Sequence, residues 1–134
     1  MSEMDFGSSA STGLKWMAIN ACFSLRSQNV DSMTENGISP FNDDLHFMLG
    51  AETITYTDKV MAGKWANYMV QTNLTVWDAW TRAGREAFQT VPASTVIRFA
   101  WWGHGDNLGD QIQSILGGTS GEVSHDGVQV HPFP

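Results

Sequence analysis

The chain has 134 residues, of which 42% are hydrophobic and 16% charged, and seven basic against fourteen acidic side chains give a net charge of −7. That balance describes one globular domain with a core of its own and excludes a disordered chain. It also excludes nucleic acid and anionic membranes as natural partners, because the Lys/Arg clusters that release their counterions are missing.

Residues 1–13 are rich in Ser and Gly and read as a flexible leader, without the basic and apolar regions of a signal peptide. No apolar run reaches the length of a membrane span, so a cytoplasmic protein is the expectation. Leu14 to Cys22 is nearly all apolar and predicts a first strand covered on both faces. Residues 23–41 then predict a long polar loop, punctuated by Asn36-Gly37 and Pro40. Asn42 or Asp43 is placed to cap a short helix through Phe47-Met48-Leu49, with Gly50 ending it.

Glu52 to Tyr56 alternates in polarity and predicts a second strand. Thr57 or Asp58 introduces a helix in which Val60, Met61, Trp65, Tyr68 and Met69 recur at helical spacing. A further amphipathic helix follows Asn73, with Val76, Trp77, Trp80, Ala83 and Phe88 on its apolar side and Pro92 as its break. Ala93 to Trp102 is the clearest strand of the chain. Beyond it the texture turns glycine-rich and polar, with a short helix expected around Gln111–Leu116 and a β-rich piece at Val128–Val130. This order predicts an α/β sandwich in a single domain, residues 14–134.

The residues that could carry chemistry fall into two groups. Cys22, the single cysteine, ends the first strand and would act as a nucleophile if a base such as His104 shared its rim; otherwise it is an inert buried thiol. His104, Asp106, His125 and Asp126 are ligand types for zinc or manganese, and a site with an open position would activate water. The same four residues read equally as polar loop residues, since Asp and Gly are common in turns. Asp43, Asp44 and His46 form a third polar cluster, in which Asp43 opposes the helix dipole and His46 packs or hydrogen-bonds structurally. The phosphate-loop, dinucleotide, serine-elbow and zincin patterns are absent.

Several short motifs occur in order: Asn20-Ala21-Cys22-Phe23-Ser24-Leu25, then Asp44-Leu45-His46-Phe47-Met48-Leu49-Gly50, Gly63-Lys64-Trp65-Ala66, Trp77-Asp78-Ala79-Trp80, and Asp106-Asn107-Leu108 leading to Gly121-Glu122-Val123-Ser124. Together they resemble caspase-like cysteine peptidases and an uncharacterised bacterial family related to them. The resemblance implies a three-layer sandwich with a mainly parallel sheet and a catalytic His-Gly pair upstream of Cys22. No histidine precedes Cys22, so it implies a fold that has lost its N-terminal part, with an open sheet edge completed in a homodimer. The expected function is a small metal-dependent hydrolase of ester or phosphoester bonds. The alternatives are a thiol hydrolase using Cys22 with a downstream histidine, and a non-catalytic interaction module.

Overall fold

The computed structural model describes residues 14–37, 40–41, 45–56, 59–115 and 123–133; the expected leader and the caps at Asn42, Asp43, Thr57 and Asp58 lie outside them. A four-stranded sheet in the order β1-β2-β3-β4 is built from Trp16–Ala18, Phe47–Ala51, Ile97–His104 and Val123–His131. Three helices complete the fold: α1 (Ser27–Glu35), α2 (Lys59–Gln71) and α3 (Val76–Ala87).

The sheet is mixed, with one parallel pair, β1 with β2, and two antiparallel pairs. The expected mainly parallel sheet is therefore corrected, and the number of helices between strands gives the reason. One helix, α1, carries the chain back to its starting end, so β2 runs with β1. Two helices separate β2 from β3 and return the chain to the opposite end, so β3 runs against β2.

Helices cover both faces. On one, Phe47, Leu49, Ala51, Ile97 and Phe99 pack with Met61, Val76, Ala79, Trp80 and Ala83 of α2 and α3. On the other, Met48, Ala100 and Trp102 pack with Val30 of α1 and with Leu25, Phe41 and Leu45, while Met17 and Met33 border them. The alternation of Phe47 and Leu49 against Met48 is the period-two signature of a strand, and every residue of β2 is buried. The helix expected at Phe47-Met48-Leu49 is thus a strand. A short apolar run does not by itself separate the two.

Glu52–Tyr56 forms an irregular segment rather than a strand, Gln111–Ser114 a bridged turn rather than a helix, and the loop expected over residues 23–41 contains α1. The two central helices match their expected spans. Thr75 caps α3, its side-chain oxygen accepting from the Asp78 N–H at 3.0 Å. Trp65 of α2 meets Trp80 of α3 edge-on, 5.4 Å between ring centroids. On the half-buried side of this pair Glu86 accepts from Tyr68 Oη and from Lys64 Nζ, the latter at 3.0 Å. The tyrosine bond first, then the lysine bond, holds the Glu86 carboxyl below its ordinary range, and the same bond to Glu86 raises the Tyr68 phenol.

Candidate functional site

Two arrangements of polar groups stand out from the apolar frame. The first is buried. Asp110 is fully enclosed, and its Oδ2 accepts from the Trp16 indole N–H at 2.8 Å and faces His46 Nδ1 at 2.5 Å. Its backbone oxygen accepts from the Val76 N–H, at the first turn of α3. A single residue in the segment after β3 therefore ties β1, the start of β2 and α3 together. A buried carboxylate needs such partners, and His46 has the structural hydrogen bond expected for it.

The second is open to solvent. Between α1 and the β3–β4 hairpin lies a cleft of about 560 Å³, within the range of small-molecule sites. Ser27, Asp31 and Thr34 line it from α1, and Trp102, Ser124 and His125 from the sheet. His125 Nε2 lies 2.7 Å from the Leu25 carbonyl oxygen, which can only accept, so Nε2 carries a proton. In the neutral ring the lone pair is then on Nδ1. Behind the same nitrogen, at 3.9 Å, stands Glu52 Oε1, whose other oxygen accepts from Arg98 Nε at 2.8 Å. A fixed tautomer backed by a carboxylate is the environment in which an imidazole handles protons.

The residues singled out in the sequence are spread over this frame. Cys22 is exposed in the turn after β1, its Sγ 3.2 Å from the Thr55 carbonyl oxygen and 3.4 Å from the Thr55 N–H. His104 ends β3 and is buried beside Phe41, ring centroids 5.9 Å apart. A shared rim would require their strands to lie side by side and run the same way, but β2 separates them and β3 runs antiparallel. His104 sits beside His46, before β2, whereas the backbone around Cys22 bonds to Ala51 and Thr53 at its far end. They stand at opposite ends of the sheet.

Of the four expected ligands, His104 and His125 lie on one face, because His104 pairs with Val123 and Trp102 with His125. Asp126 follows His125 on β4 and faces the other way, with Trp101. Asp106 is exposed in the single 3₁₀ turn after β3. Among the described residues no three of His, Cys, Asp and Glu converge as a metal cluster would require. Asp110 was not anticipated at all: in sequence it is one more acid in a glycine-rich loop, and its partners are 94 and 64 residues away.

The architecture is that of a mixed α/β domain with a small polar cleft at one sheet face. Residues 1–126 match the family described as Domain of unknown function (DUF6345), and the chain belongs to it. No curated protein and no solved structure matches the chain. The resemblance to caspase-like peptidases is accordingly corrected: the matching family is this one, and no caspase-like relative or structural neighbour supports the likeness. No helix among the described residues is long and apolar enough to cross a membrane.

Proposed function

We propose that the protein hydrolyses a small polar ester in the cleft between α1 and the β3–β4 hairpin, with His125 as general base. The observation that carries this reading is the His125 tautomer, set by the Leu25 carbonyl and backed by Glu52, on a side chain that lines the cleft. Unprotonated Nδ1 would take a proton from water as it attacks the carbonyl, the imidazolium formed would be stabilised by the Glu52 carboxylate, and it would return the proton to the alcohol oxygen as the ester C–O bond breaks. The hydroxyls of Ser27, Thr34 and Ser124 suit a polar substrate, and the Trp102 indole suits an apolar portion. A panel of 4-nitrophenyl and short-chain glycerol esters tests the reading. His125→Gln is expected to lower kcat/KM by about a hundredfold or more. Unchanged turnover in that variant, or none in the wild type, would refute it.

A metal-assisted version of the same reaction is the second reading. His104 and His125 share a sheet face, so two of the four expected donors, His104, Asp106, His125 and Asp126, stand on the same side. Zinc or manganese there would activate the water in place of His125. Elemental analysis and chelator treatment separate the versions: loss of activity on chelation selects the metal, and full activity selects the imidazole. Homodimerisation belongs to this proposal too. β4 is an edge strand of nine residues, and its Val123–His125 end lines the cleft, so a partner paired along β4 would flank the site. Mass in solution measures it.

A further inference from the structure

The charge distribution around the cleft between α1 and the β3–β4 hairpin is one-sided. Among the described residues of its lining Asp31 alone carries a full charge, and His125 is the one other titratable group. Asp31 is exposed, and none of the described side chains pairs with its carboxylate. The chain has seven Lys and Arg side chains, and all of them lie outside that lining. Lys64 and Arg82 pair with Glu86 and Arg98 with Glu52, while Arg26 and Arg85 lie over the Phe23 and Phe133 rings. Lys15 precedes β1 and Lys59 begins α2.

Two features of α1 give its wall a preference. Thr34 stands three residues after Asp31, on the same helix face. Its hydroxyl donates to the Val30 carbonyl oxygen at 2.9 Å, so the Thr34 oxygen has lone pairs to offer and no proton. The helix also ends here: Thr34 and Gly37 line the cleft, and the last turn of α1 has no basic side chain to offset the negative end of its dipole. A carboxylate, an acceptor-only hydroxyl and a negative helix end all favour a cation that carries N–H donors.

We infer that the ester taken by this cleft carries a primary ammonium group, held by the Asp31 carboxylate and the Thr34 hydroxyl oxygen. The inference rests on the reading of the cleft as the substrate site. A primary ammonium has N–H donors that a carboxylate oxygen and a hydroxyl oxygen can share, and a quaternary ammonium has none. Asp31 and Thr34 belong to the α1 wall, whereas His125 belongs to the sheet wall. Holding the cation on one wall leaves the ester carbonyl to the base on the other, and keeps the ammonium apart from the imidazolium that forms. A substrate anion meets the opposite, a carboxylate of like charge and neither Lys nor Arg to pair with. The excess of acidic over basic side chains, fourteen to seven, draws cations toward the chain as a whole.

Binding and turnover test it separately. Butylammonium is the probe in an NMR titration of 15N-labelled protein that follows the backbone amide signals of α1, with butanol and butyltrimethylammonium as controls. The expected result is a saturable shift with butylammonium and none with butanol, and binding weaker by about tenfold or more in Asp31→Asn. Asp78→Asn removes the same charge from α3, on the other face of the sheet, and is expected to change binding by less than about twofold. Absence of a saturable shift, an equal response to butanol, undiminished binding in Asp31→Asn, or an equal loss in Asp78→Asn would overturn the inference. Butyltrimethylammonium bound as tightly as butylammonium would overturn the choice of a primary amine. For turnover, β-alanine ethyl ester is compared with ethyl butanoate, in which a methyl replaces the ammonium. A kcat/KM about tenfold or more higher for the first is expected, with that ratio reduced in Asp31→Asn. Equal turnover of the two esters overturns the inference and leaves the ester reading standing, whereas saturable binding with no turnover of either refutes the ester reading alone.

Discussion

Removing the Asp110 carboxylate tests whether a single buried side chain joins β1 and the start of β2 to the segment after β3. Asp110→Ala leaves the Trp16 indole N–H and the His46 Nδ1 without their acceptor in a region closed to water. Each buried donor left without an acceptor costs about 1–3 kcal/mol, so the two together cost about 2–6 kcal/mol. For 134 residues the entropy of unfolding is about 0.28 kcal/mol/K, so a loss of ~4 kcal/mol lowers Tm by about 14 °C. Trp16→Phe keeps an aromatic side chain but deletes the indole N–H and part of the ring volume; the lost hydrogen bond alone costs about 1–3 kcal/mol. Because the two side chains share one bond, the double variant should be milder than the sum of the single losses by about 1 kcal/mol or more. Thermal and urea unfolding of the four proteins complete the cycle. A Tm for Asp110→Ala within about 4 °C of the wild type, or strictly additive losses, would show that the carboxylate is not held as described.

Two further outcomes follow from the packing and from the titrating pair. Gly84→Ala should lower Tm by about 4–7 °C despite the better helix propensity of alanine, since a Cβ there would sit 2.7 Å from Cζ of the enclosed Phe99 ring; a rise in Tm would show that the ring can yield. Tyr68→Phe removes the bond that most depresses the Glu86 carboxyl. A depressed carboxylate stabilises the fold above the ordinary 4.5, and this contribution is lost as pH falls through the lower folded value. The raised Tyr68 phenol stabilises below its ordinary 10.0, and that contribution is lost as pH rises through the higher folded value. The stability gap between wild type and variant should therefore be widest between those limits and narrow at both ends. Urea unfolding across pH measures it, and a gap independent of pH would refute the linkage.

The sequence by itself determined the elements whose signal is local. The helical spacing of Trp65, Tyr68 and Met69, and that of Val76, Trp80 and Ala83, placed α2 and α3, and the apolar run before Trp102 placed most of β3. α1 carries little local signal, because it buries Val30 with little else and its first residue follows Arg26, which makes no side-chain cap. β2 is ambiguous in sequence because Gly50 reads as a helix stop. Its real constraint is close approach, since a Cβ there would lie 2.5 Å from Ser24 Oγ and 2.8 Å from Leu25 Cγ.

Only the tertiary structure decided the direction of the strands and the membership of the sites. Strand sense depends on how many helices intervene and which way each carries the chain, and β2 had been counted among them. Asp110 gained its meaning from Trp16 and His46, and His125 from Leu25, all far away in sequence. His125 had been singled out by residue type, as a ligand beside Asp126, yet the pleat of β4 turns these neighbours to opposite faces. Residue type along a chain nominates chemistry. The sheet register decides which of those groups stand on one side of it.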